Sequence, residues 1–272
     1  MRSYTALVAL LMLAGALTWA VEPLQLLQPN ALVMPGSQVD YGTVGPGQTF
    51  QIKIDYVVKK DGQFLGQWDD AAVTGLPQGW SAKPGVVYPD MMLLEVTVDP
   101  ASPDGDYTLP VRIDDAGGRE NIGGQFPFSL LVHVKRDLLR MDVQPQMLQV
   151  GAGQPARFEV TLTNMGTASD RFEITSENIS SWALSKSVYL AGGASKKIVY
   201  EVVGNDEANY KMSIDSRSAS SGLISQTQPV ELDVHSDLIS DMKATSNGVL
   251  LFPTLEMPVY SLAGLLGWPF GR

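Results

Sequence analysis

Two histidines, 29 carboxylates and no cysteine make up the reactive inventory of this 272-residue chain. Histidine is the commonest general base and metal ligand, so His133 and His235 are the first places to look for chemistry. They stand 102 positions apart, each on the polar side of an alternating apolar run. Equivalent positions in two copies of one domain do not meet in one site, which makes each a solvent-facing strand residue. Without a cysteine or a neighbouring second histidine, nucleophile and base arrangements lack their parts. A glycosidase needs only two carboxylates a few ångströms apart. Most of the acids here, however, are expected in turns, as with Asp69 and Asp70, Asp104 and Asp106, or Asp114 and Asp115. Asp104-Gly105-Asp106 has the opening of a calcium loop but none of its later ligands. The sequence therefore assigns no catalytic residue, no metal ligand and no cofactor.

Binding is better supported. The stretch Lys59 to Asp70 has a counterpart nowhere else in the chain, and Phe64, Trp68, Asp69 and Asp70 are its candidate binding residues. Loops on a rigid scaffold carry binding residues more often than the scaffold does. Trp68 between Gln67 and Asp69 has the makeup of a sugar-stacking platform, so a glycan is one ligand class. The plainer alternative is a long hairpin whose Phe64 and Trp68 cover the core edge. Asn178-Ile179-Ser180 matches the N-glycosylation acceptor pattern, a short motif that is common by chance.

The elements that position these residues come in two copies. Val44-Gly45-Pro46-Gly47-Gln48 leads into Phe50, Ile52, Ile54 and Tyr56 at every second place, and Val150-Gly151-Ala152-Gly153-Gln154 leads into Phe158, Val160 and Leu162. A period of two with polar partners is a strand buried on one face. Trp80 and Trp182 follow at a spacing of 102, then Leu94, Val96 and Val98 answer Ile198, Tyr200 and Val202. Turn-rich segments precede Tyr107, Leu109, Val111 and Ile113 in one copy and Tyr210, Met212 and Ile214 in the other. Phe126, Phe128, Leu130, Val132 and Val134 close the first copy; Val230, Leu232 and Val234 close the second. Short strands at regular spacing predict an all-β chain of two tandem antiparallel β-sandwiches. Their expected bounds are 21–136 and 137–237, joined by the charged Lys135-Arg136-Asp137.

Gly-x-Gly-Gln before a strand, Thr163-Asn164-Met165-Gly166-Thr167-Ala168 after it, Leu76-Pro77-Gln78-Gly79-Trp80, and Pro103-Asp104-Gly105-Asp106-Tyr107 carry a resemblance. The region from about Asp40 to His235 resembles the immunoglobulin-like domains of prokaryotic surface proteins, among them the α-galactosidase-associated (NPCBM-associated) and CARDB-like families. The resemblance implies stalks, spacers, adhesion modules and accessory domains, with no catalytic residues to carry over.

The two ends differ in character from the repeats. Residues 1–20 begin with Arg2, run apolar from Ala6 to Leu17 and finish at Ala20, the pattern of a signal peptide and hence of an extracytoplasmic protein. The C-terminal 238–272 are apolar, with Leu250, Phe252, Tyr260, Leu265 and Trp268 as candidate docking residues. Pro253, Pro258 and Pro269 interrupt this tail, and burying Glu256 in a bilayer would cost about 2.5 kcal/mol or more. The expectation is a short hydrophobic helix or tail that packs on the second sandwich, docks on another envelope protein, or lies in the membrane interface with Trp268 as anchor. A net charge of −10 argues against nucleic acid as a partner. Three functions follow as expectations: a non-enzymatic structural or adhesive envelope protein attached through its tail, a carbohydrate-binding accessory protein using the Lys59 to Asp70 loop, and an assembly factor resembling two-domain pilus chaperones.

Overall fold

In the computed structural model of the chain, residues 22–118, 122, 124–179, 182–183 and 185–235 are described, 182–183 by backbone alone. Every described element is a strand or turn. The signal segment and the apolar tail with its expected helix lie outside the described residues.

The first repeat consists of β1 (Leu24–Gln28), β2 (Asn30–Val33), β3 (Gln38–Val44), β4 (Thr49–Ile54), β5 (Val57–Lys60), β6 (Gln63–Gln67), β7 (Asp70–Val73), β8 (Ser81–Val87), β9 (Met92–Thr97), β10 (Gly105–Asp114) and β11 (Gln125–Val134). They form a five-stranded sheet in the order β2-β1-β4-β9-β8, a four-stranded sheet in the order β3-β11-β10-β7, and a separate two-stranded ribbon, β5-β6. Alternation decides which face turns inward. Phe50, Ile52 and Ile54 on β4 are buried beside Met92, Leu94 and Val96 on β9, and Phe126 through Val134 supply five buried residues from β11. Trp80 is buried against Tyr107, their ring centroids 5.1 Å apart. Gly79 just before it has φ of 81°, and a Cβ there would meet Asp99 Oδ2 at 1.8 Å, so the turn into the tryptophan requires glycine. Tyr41 packs on Phe50 and donates its hydroxyl to the Gln51 carbonyl; burial pushes its pKa to about 12.

The second repeat consists of β12 (Leu139–Gln144), β13 (Met147–Val150), β14 (Pro155–Asn164), β15 (Asp170–Glu177), β16 (Trp182–Ala183), β17 (Lys186–Leu190), β18 (Ser195–Val203), β19 (Ala208–Ser218) and β20 (Ser225–Val234). Its sheets run β12-β14-β18-β16 and β13-β20-β19-β15-β17. Phe158, Phe172, Tyr200, Ile214 and Leu232 lie at the centre of its core. The expectation of purely antiparallel pairing needs one correction: β13 pairs with β20 in parallel, Met147 opposite Glu231 through Val150 opposite Val234. After β12 the chain continues in the same direction across to the other sheet, where it meets the last strand. Gln144–Pro145 is cis at this crossing, and Gln28–Pro29 is cis between β1 and β2.

The chain divides into two compact units that do not follow the repeats strictly. The second unit takes in Thr43–Gln48 and Pro100–Asp104 together with the chain from Val134 onward. Within that unit Asp170 is 3% exposed, and both of its carboxylate oxygens are satisfied. Oδ2 accepts from Gln48 Nε2 at 2.6 Å and from Ser218 Oγ at 2.6 Å; Oδ1 accepts from Ser220 Oγ at 2.9 Å and from the Arg171 amide at 2.7 Å. Ser218 Oγ in turn accepts from the Ser220 and Ser221 amides. Four donors aimed at one buried carboxylate remove the desolvation penalty of its charge. Replacing Asp170 with Ala leaves those donors unmatched, so D170A should lose about 1–3 kcal/mol in urea unfolding. D170N should not rescue it, because its amide would turn a donor toward two of them. Glu159→Ala, which removes an exposed ion pair with Lys197, should cost under about 1 kcal/mol.

Candidate functional site

The Lys59 to Asp70 stretch folds as the β5-β6 ribbon and its root. Asp61 and Gly62 form the turn with φ of 51° and 80°, the paired left-handed conformation of a type I′ hairpin, for which Asp-Gly is a favoured sequence. Lys59 lies opposite Phe64, and the register shifts so that Leu65 is the extra residue of a bulge. That bulge leaves both apolar residues of the tip in water: Phe64 is 62% and Leu65 42% exposed. Lys60 pairs with Glu22 at 3.1 Å, while Lys59 stands beside Phe64 as its cross-strand neighbour.

The root of the ribbon is scaffold. Trp68 is 2% exposed and meets Phe126 edge to face, with 6.0 Å between centroids, and its amide donates to the Tyr56 carbonyl. An indole so covered cannot offer a face to a sugar, which corrects the sequence expectation for Trp68. Its polar neighbours Gln67 and Asp69 are exposed, while the indole, between β6 and β7, turns inward onto Phe126. Asp69 accepts from the Ala116 and Gly117 amides at 2.6 and 3.0 Å, and so closes a turn. Asp70 begins β7 opposite Asp114. A cavity of about 190 Å³ at the root, lined by Glu22, Leu24, Asp55, Val58, Lys59 and Trp68, is smaller than the usual range for ligand pockets. Of the four expected binding residues, the ribbon thus presents Phe64 outward and uses Trp68 and Asp69 to anchor itself.

A second polar arrangement comes from three adjacent strands. His133 on β11 places Nδ1 2.6 Å from Asp106 Oδ1 on β10 and Nε2 3.3 Å from Asp40 Oδ1 on β3. The hydrogen bond to Asp106, with the charges of both carboxylates, raises the imidazole pKa above its ordinary value. The carboxylates are 27 and 93 residues away in sequence, so no local motif announces the cluster. His235 lies 3.9 Å from Asp233. Among the described residues no group of three or more His, Cys, Asp and Glu is placed to hold a metal ion. Of the four Gln-Pro dipeptides in the sequence, Gln28-Pro29 and Gln144-Pro145 are cis, and each of these two precedes a short edge strand, β2 or β13.

No protein-family profile matches the chain, and no curated protein is similar to it. Solved structures similar to it include the CARDB domain of a Pyrococcus furiosus protein in complex with di-metal ions, at 14% identity over 36% of this chain and 94% of that one, with a TM-score of 0.28. A β-glucosidase from Listeria innocua matches at 13% identity over 36% of this chain but only 16% of its own, with a TM-score of 0.27. A chimeric titin Z1Z2 carrying a decorin peptide matches at 12% identity over 80% of this chain and all of its own, with a TM-score of 0.33. No residue role follows from these likenesses.

Two outcomes test the geometry. Trp68→Ala should destabilise the first repeat by about 3–5 kcal/mol in thermal or urea unfolding, whereas Phe64→Ser and Leu65→Ser should stay within about 0.5 kcal/mol. His133 is held more basic folded than unfolded, so its pairing stabilises fully below the unfolded value near 6.5 and is lost as pH rises through the higher folded value. Unfolding midpoints should therefore fall across that window, and His133→Gln should flatten the fall.

Proposed function

We propose that this chain is a non-enzymatic structural or adhesive protein of the cell envelope, exported by its N-terminal segment and held in place through its apolar C-terminal segment. The observation that carries the reading is the β5-β6 ribbon, which the first repeat has, which the described residues of the second do not form, and which shows Phe64 and Leu65 to solvent. Apolar residues on a projecting ribbon need a use, and contact with another macromolecule is the ordinary one. The polar side chains with chemical potential support the same reading, because they serve the scaffold: Asp170 organises a turn network, Asp69 closes a turn, and His133 ties three strands.

Attachment is proposed from sequence: Leu250, Phe252, Tyr260, Leu265 and Trp268 form an apolar stretch that an envelope protein or a membrane interface would take up. A chain ending at Asp237, expressed in the native host, should move from the envelope fraction to the soluble extracytoplasmic fraction. Unchanged envelope retention of the shortened chain would overturn tail attachment.

A further inference from the structure

We propose that the β5-β6 ribbon of one copy inserts Phe64 into a cavity on the second repeat of another copy, assembling the chain head to tail. The inference rests on reading the ribbon as a contact surface and names its partner.

The cavity is an open depression of about 580 Å³ against the β13-β20-β19 sheet. Gln146, Met147, Asn178, Lys211, Pro229 and Glu231 line it. Met147 is 56% exposed, and a thioether adapts its shape to an incoming aromatic ring. Asn178 turns the chain at the cavity wall with φ of 62°. Pro229 lacks an N–H, so this stretch of β20 is poorly suited to accept an added strand, and an inserted side chain is the better match.

Charge selects the occupant. Lys211 and Glu231 stand opposite each other in the β19-β20 register, so the rim carries one charge of each sign. The ribbon tip carries the reverse pair: Lys59 beside Phe64, and Asp61 at the turn. In the proposed contact Lys59 pairs with Glu231 and Asp61 with Lys211. A second copy supplies knob and hole at equal stoichiometry. The knob belongs to the first repeat and the hole to the second, so the contact is heterologous and leaves a free knob and a free hole at the ends.

Sedimentation velocity of the purified chain over a concentration series tests this. Average mass should rise with concentration, and Phe64→Asp or Met147→Asp should each weaken association at least about tenfold. Both positions are exposed, and circular dichroism with a melting curve verifies that each variant folds. The deciding measurement is an equimolar mixture of the two variants. Phe64→Asp keeps its cavity and Met147→Asp keeps its ribbon, so together they should form a species of twice the monomer mass that grows no further. A wild-type chain that stays monomeric at its highest soluble concentration, association that persists in either variant, or a mixture that stays monomeric would each overturn the proposal. Envelope retention, read separately by fractionation, stands or falls on the tail, so a monomeric chain that remains envelope-bound sinks the assembly alone.

Discussion

The central strands of both repeats, among them β4, β9, β11 and β14, bury every second residue, and a slip of one position in any of these would turn that set toward water. The burial of Phe50, Ile52 and Ile54 against Met92, Leu94 and Val96 fixes the register of β4 on β9, and Phe158, Val160 and Leu162 do the same for β14 against β18. Turns, polar networks and the ribbon all hang from strands whose register is set in this way. Four aromatic side chains, Tyr41, Trp68, Trp80 and Tyr200, are buried as well.

Polar groups enter the interior where the alternation stops. Asp170 stands at the first position of β15, where the chain leaves a turn, and its donors come from Gln48 and the Ser218–Ser221 segment. Asn164 plays a similar part at the end of β14: its Nδ2 donates to the Ala168 carbonyl and its Oδ1 accepts the Gly166 amide. These side chains take up side-chain and backbone partners outside the ladders, so that their polar atoms are satisfied where they are buried. The outer face is held more loosely, by exposed pairs such as Arg157 with Glu201 and Lys197 with Glu159. Such pairs set solubility more than stability.

Strands were legible in the sequence wherever one face is buried and the other wet, because that asymmetry writes itself into every second residue. β4, β9, β11, β14 and β20 could be read this way almost residue by residue. What depends on contacts between distant strands could not. The partners of His133 come from β3 and β10, and the donors to Asp170 from three separate segments, with no spacing that marks them. The parallel pairing of β13 follows from the crossing between sheets, which alternation does not report. For Trp68 the sequence leaves two readings open, a sugar platform and a core-edge residue, and contact with the distant Phe126 decides for the second.

The separation of the ribbon tip from its root has an evolutionary meaning. Phe64, Leu65 and the Lys59-Lys60-Asp61 turn touch little of the core, while Gly66 and Trp68 just below them are buried. Substitution at the tip therefore draws little on the narrow stability margin of the sandwich. In a lineage of such chains the tip would change only in step with the surface that receives it, whereas the tryptophan beneath it is held by the fold alone.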